Sequence, residues 1–233
     1  MSKRILTAGR QSSNSKEREA IATFASSIGH ELNNYLASIS ICAELSERKL
    51  KDIRTAVSNT SYFINNLQLQ IKGVIAGKID KSNFKRLSIT DNINDVLAQY
   101  PFKTGERELI TVIEGKDFIY HGDHILTNHI LHNLIKNSLA AINRAGKGEI
   151  TIKLEPGAKY NKLIFKDTAT GIPKEFLPKI FQLFATQNAE GGNGIGLDYC
   201  KEIMRYYGGG IVCNSIEKKL TTLTLKFPYV LLQ

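Results

Sequence analysis

Four short stretches in the second half of the sequence, and one histidine in the first half, have residue types that could do chemistry. Asn133 and Asn137, in Asn133-Leu134-Ile135-Lys136-Asn137-Ser138, are four residues apart and share a helix face. Two neutral amides there can offer oxygens to a hard cation or to phosphate-bound water without adding charge. Asp167 opens the stretch Asp167-Thr168-Ala169-Thr170-Gly171-Ile172-Pro173 directly after the strand predicted at 162–166. A carboxylate at a strand end can accept a hydrogen bond from an exocyclic amine, and Gly171 lets the backbone approach a flat ring. Phe181 and Phe184 are apolar anchors ahead of the polar loop 185–191, the pattern of a hinged lid. In Gly192-Asn193-Gly194-Ile195-Gly196-Leu197, glycines at a helix start let backbone N–H groups approach phosphate oxygens, and the helix dipole favours the anion. This is not a dinucleotide fingerprint, because the preceding strand lacks a GxGxxG arrangement with an acidic residue about 20 positions on. Taken singly, each stretch also has a plain structural reading: paired surface asparagines, an Asp turn, a glycine-rich helix start.

The histidine is His30. Around it Ile21, Phe24, Ala25, Ile28, Leu32, Tyr35, Leu36 and Ile39 recur three or four residues apart, the spacing of an amphipathic helix. At about 100° per residue, His30 points about 200° away from both Ile28 and Leu32, onto the polar face. Glu31 is beside it, and Asn34 follows one turn later on the same face.

These residues need elements to position them. Residues 1–15 are polar and serine-rich, a flexible lead-in. The helical pattern runs from about 16 to 45, and the charged stretch 46–52 is the expected turn. A second helix carries Ile53, Val57, Thr60, Ile64, Leu67, Ile71 and Val74 in alternating steps of four and three, a heptad seam. Such a hairpin cannot bury its apolar stripes alone, so a homodimer with a four-helix bundle over residues 16–80 is expected. After the linker around Gly77 the period changes. Strands are predicted at 86–89, 109–114, 118–121, 149–154, 162–166, 211–215 and 221–227. Helices are predicted at 91–100, capped by Asp91, at 123–142 and at 194–207. Residues 84–233 thus read as an α/β sandwich with helices over one face of a mixed sheet.

Composition narrows the class. The chain has 233 residues, of which 42% are hydrophobic, enough for one large or two small domains. No run approaches the roughly 18 apolar residues of a membrane span, and the N-terminus lacks an apolar signal core, so a soluble, cytoplasmic protein is expected. Cys42, Cys200 and Cys213 are far apart and give neither a metal spacing nor a disulfide framework. The net charge of +9 suits attraction to phosphates or to an acidic protein surface. The basic residues are scattered and no nucleic-acid motif is present, so nucleic acid is not an expected partner.

The order His-Glu-Leu, Asn-x-x-x-Asn, Asp-x-x-x-Gly, Phe-x-x-Phe and GxGxGL resembles the sensor histidine kinases of two-component systems, over nearly the whole chain from about residue 20. In that resemblance residues 27–36 are the H box, 133–138 the N box, 167–173 the G1 box, Phe181 to Phe184 the F box and 192–197 the G2 box. Thr221-Thr222 resembles the closing threonine position, with Thr222 taken as the site residue. The resemblance implies an α+β architecture: an N-terminal antiparallel helical hairpin, forming a four-helix bundle on dimerisation, followed by a Bergerat-type α/β sandwich that binds ATP and Mg²⁺. It implies an ATP-dependent protein-histidine kinase in which His30 accepts the γ-phosphoryl group and passes it to an aspartate of a response-regulator receiver domain. Glu31 is implied as the general base and Asn34 as the residue that places water for dephosphorylating the partner. Asn137 is implied as the Mg²⁺ ligand, with Asn133 near the phosphates and Asp167 reading the adenine amino group. Gly171, Ile172, Phe184, Gly192, Gly194, Ile195, Gly196 and Leu197 complete the nucleotide site.

Several positions depart from the family pattern. Ala169 stands where the G1 box has its first glycine, and its methyl group is expected to crowd the base. Asn33 and Tyr35 replace a basic residue and a proline of the H box, and Gln187 stands where the lid often has a lysine. Ala169 and Gln187 motivate an alternative, a phosphotransfer or scaffold dimer with a decayed ATP site that binds a receiver domain without using ATP. An ATPase of the chaperone or gyrase type would lack the H box on a dimer hairpin. With no membrane segment expected, the chain is read as the core of a longer sensor or as a small kinase taking its input from a partner.

Overall fold

The computed structural model of the protein describes residues 81–182, 184–186, 194 and 196–230. The expected hairpin 16–80, with His30, Glu31 and Asn34, lies outside the described residues, as do Gln187, Gly192 and Ile195.

The described part opens with β1 (Lys85–Ser88), which pairs antiparallel with β3 (Ile119–Gly122), Ser88 opposite Ile119. Between them lie α1 (Ile89–Gln99) and β2 (Ile110–Val112). The buried residues Ile89, Asn92, Ile93 and Val96 recur at three and four residues, the inner stripe of α1. The cap of α1 corrects the sequence reading. Ser88, in extended conformation, accepts the Asp91 N–H on its hydroxyl oxygen at 3.1 Å, so Asp91 is already inside the first turn. Ser88 in turn donates to Asp117 at 2.8 Å, and Asp117 also accepts from the Thr90 N–H and hydroxyl.

The long helix α2 (His124–Ala145) is capped by Asp123, whose carboxylate accepts from the Leu126 N–H at 2.9 Å. β4 (Ile150–Glu155), β5 (Tyr160–Asp167), α3 (Gly196–Tyr206), β6 (Gly210–Ile216) and β7 (Leu220–Pro228) follow. β2, β4, β5, β7 and β6 form one sheet in that order, parallel only between β2 and β4.

Burial alternates along the strands with a period of two, so one face of this sheet is the core face. Register stacks its residues into rows across the sheet: Leu154, Leu163, Leu225 and Ile211, then Ile152, Phe165, Leu223 and Cys213. The next row is Ile150, Asp167, Thr221 and Ser215, where an apolar face turns polar at one end. Inward residues of all three helices, including Ile93, Leu134, Leu139, Cys200 and Ile203, join the same core.

A buried polar knot ties the helices together. The Tyr120 hydroxyl lies 2.8 Å from the Asn92 side-chain oxygen and 2.7 Å from Thr127, joining β3, α1 and α2. Just beyond α3, the Tyr207 hydroxyl donates to the Asp123 carbonyl at 2.9 Å, which locks the end of α3 to the start of α2. Satisfied polar groups inside an apolar core specify one relative placement of the elements. The expected mixed sheet with its three helices is present, most element ends falling within one or two residues of the predicted ones.

Candidate nucleotide site

Asp167 is the last residue of β5 and faces the core side of the sheet. It is only 5% exposed, yet it carries two donors: the Ala169 N–H at 3.2 Å on one oxygen and the Ser138 hydroxyl of α2 at 3.1 Å on the other. Burial pushes its carboxyl above the ordinary range, and these two hydrogen bonds oppose that shift. One donor per oxygen leaves each oxygen with an unused lone pair, so the group can accept from an amine brought to the strand end.

The loop after Asp167 is held at several points. The Thr168 N–H donates to the Glu149 carbonyl at 3.0 Å, while the Thr168 hydroxyl accepts from the Glu149 N–H at 3.0 Å. The Lys218 N–H donates to the Thr170 carbonyl, and the Ile172 N–H donates to the Ser215 hydroxyl at 2.8 Å. Gly171 has a left-handed φ of 64°, and any side chain on it would overlap the Ile216 carbonyl of β6. Its freedom is thus used to lay the loop on β6. Ala169 is 1% exposed and belongs to the packed core, so its methyl group is not left standing in open solvent.

On α2, Asn133 is half-buried and Asn137 exposed one turn further, on the same face as expected, while Ser138 turns inward to Asp167. A Cβ on Gly196, the first residue of α3, would lie 3.0 Å from the Asn133 side-chain oxygen. The start of α3 and the Asn133 amide are therefore in direct contact. From Asn133 to Ser138 is about 7.5 Å along the helix axis, so α2 spans from the N-terminus of α3 to the Asp167 carboxyl. Leu197 packs its side chain against the core and anchors the first turn of α3.

The two ends of the expected lid also meet. Phe184 is exposed and has a left-handed φ of 65°. Gly194, with φ 62°, lies so close that a side chain on it would overlap the Phe184 backbone and stand 2.7 Å from the Ala185 nitrogen. Phe181 packs against the core on the near side of this junction.

The expected Thr222 and Asp167 lie on different faces of the sheet. Thr222 pairs with Lys166 and Asn214, on the sheet face opposite Asp167. Thr221 stands directly across from Asp167 on its own face, 3.3 Å from the Ser215 hydroxyl. A one-residue step along a strand reverses the side chain, so Thr221 and not Thr222 shares the face of Asp167. Ser138, Thr221 and Ser215 were missed by motif reading. Strand alternation counted back from Phe227 would have found Thr221.

A buried acceptor at a strand end, an asparagine against a glycine-started helix and a glycine-hinged loop between them fit a nucleotide. The fold and the site define an α+β ATP-binding domain like the catalytic domains of histidine kinases. Residues 122–231 match the family described as Histidine kinase-, DNA gyrase B-, and HSP90-like ATPase, and the sensor kinases to which the chain is similar support a histidine-kinase catalytic ATPase domain here.

The chain is 29% identical over 218 residues to the autoinducer 1 sensor kinase/phosphatase LuxN of Vibrio harveyi, covering 88% of this chain and 26% of that protein. It is 29% identical over 237 residues to sporulation kinase D of Bacillus subtilis, covering 94% of this chain and 44% of that kinase. The chain thus spans about a quarter to under a half of the length of these curated relatives. The catalytic domain of histidine kinase ThkA shares the fold with a TM-score of 0.52 at 24% identity, over 62% of this chain and 95% of that one. The Acinetobacter baumannii histidine kinase AdeS does so with a TM-score of 0.56 at 17% identity, over 85% of this chain and 97% of that one.

Proposed function

We propose that the chain is the core of a two-component sensor histidine kinase, in which this domain presents ATP and His30 accepts its γ-phosphoryl group. The observation that carries the proposal is that one stretch of α2 touches both a buried carboxylate, Asp167, through Ser138, and the start of α3, through Asn133. The reach of the relatives supports the location of the acceptor. A match to sporulation kinase D over 94% of the chain takes in His30, far upstream of the ATPase segment.

In this reading Asp167, positioned by Ser138 and the Ala169 N–H, accepts from the adenine amine, with Thr221 beside it. Gly194, Gly196 and the N–H groups at the start of α3 face the phosphates, together with Asn133, Gly192 and Ile195. Asn137 offers its amide oxygen to Mg²⁺, which supplies charge neutralisation on the phosphates. Glu31 takes the proton from the His30 imidazole as it attacks, and the phosphoryl group then passes to an aspartate of a receiver domain. Asn34 places a water for the reverse task, dephosphorylating that partner. Dimerisation through the 16–80 hairpin brings His30 and an ATP site into one assembly. The phosphotransfer takes place in the cytoplasm.

Incubation of the full chain with labelled ATP and Mg²⁺ gives an acid-labile, base-stable phosphoprotein, lost in His30→Gln. Absence of label in the wild-type chain under these conditions refutes the proposal.

A further inference from the structure

The inward face of α2 is apolar along Leu134, Ile135, Leu139 and Ile142, with one hydroxyl among them, that of Ser138, itself 3% exposed. A buried helix serine ordinarily turns back to a carbonyl one turn earlier. Ser138 instead donates to the Asp167 carboxylate, 29 residues away, at 3.1 Å. The geometry points to Ser138 as a positioning residue for base selection. Its hydroxyl holds one oxygen of Asp167, so that the buried carboxylate presents only lone pairs to a purine and selects a 6-amino over a 6-oxo ring. The inference rests on the nucleotide reading of this site and adds a residue and a selectivity to it.

The physical logic concerns one proton. An ionised carboxylate can only accept, so a 6-amino group satisfies it while a 6-oxo group sets lone pair against lone pair. A protonated carboxyl could donate to the 6-oxo group, and selectivity would be lost. Burial favours the protonated form of Asp167, and the Ser138 hydroxyl, a charge-assisted donor, opposes this. The groups around the carboxyl are Ile150 of β4, Thr221 of β7, Ser138 of α2, Ser215 of β6 and, one row away on β6, Cys213. Burial and the nearby Asp167 push the Cys213 thiol up to about 11, so it stays neutral where Asp167 titrates.

The test is calorimetric titration of the full chain with ATP and with ITP, across a pH series, in wild type and Ser138→Ala. Wild type prefers ATP. Ser138→Ala weakens ATP binding by about ten-fold with little change for ITP, the scale of one lost hydrogen bond to a charged group. Its ATP affinity also begins to fall at a higher pH on acidification. A purely structural serine would weaken both nucleotides alike, so an unchanged ATP-to-ITP ratio and pH profile in Ser138→Ala overturns the inference. If Ser138→Ala does not fold, Ser138→Cys, close in size and a much weaker donor, is read by the same two criteria. A wild-type chain that binds neither nucleotide overturns the nucleotide reading itself, a result distinct from an unaltered ratio in the variant.

Discussion

The first residue of α3 lies against the side chain of Asn133: a methyl group on Gly196 would stand 3.0 Å from its amide oxygen. Asn133 projects from α2, so this contact sets how α2 and the N–H groups opening α3 share one end of the site. Gly196→Ala replaces a residue that helices disfavour with the one they favour most, so the helix itself tolerates it. The added methyl displaces the Asn133 amide, and ATP affinity falls on the order of ten-fold, the scale of one polar contact. Calorimetric titration measures the loss, and an unaltered melting temperature separates it from unfolding.

Thr221 and Thr222 differ in consequence because they differ in face. Thr221→Val removes a hydroxyl beside Asp167 and lowers ATP affinity by about three- to ten-fold. Thr222→Val, on the opposite face, leaves nucleotide binding as in wild type. Parallel titrations of the two variants compare them at equal volume change.

Asp167 links stability to pH. Burial raises its carboxyl above the ordinary 3.8, so the folded state holds this proton more tightly than the unfolded state does. Ionised Asp167 therefore penalises folding at neutral pH, and the penalty is relieved as pH falls through the raised folded value towards the ordinary one. Asp167→Asn unfolds at higher urea than wild type at pH 7 and loses ATP binding. The stability gain shrinks on acidification through that window, as urea melts at several pH values record.

The cap of α1 gives a test independent of nucleotide. Ser88→Ala costs about 1 kcal/mol, because Ser88 caps the helix and also binds Asp117. Asp91→Ala costs only a few tenths of a kcal/mol, the helix-dipole contribution of an exposed acid in the first turn. Urea midpoints of the two variants distinguish the cap seen in the structure from the one expected at Asp91.

Local order along the chain carries much of this protein. Alternation and helical spacing located the strands and helices of the catalytic domain, because periods of 2.0 and 3.6 residues are written directly into the side-chain pattern. Motif order pointed to Asn133, Asp167, Gly171 and Gly196 as one site, since a nucleotide demands amides, a carboxylate and small residues in any frame. Register was not legible in the same way. Thr221 and Thr222 are alike in type, and only the pairing of β7 with β5 assigns one of them to Asp167. Gly171 reads as clearance for a ring, and it is the approach of the Ile216 carbonyl on β6 that demands a glycine there. Ser138 is one more polar letter in the asparagine stretch until α2 packs across the end of β5 and sets its hydroxyl on the carboxylate. Such contacts join residues tens of positions apart, and sequence spacing holds no record of which side chains packing will bring together.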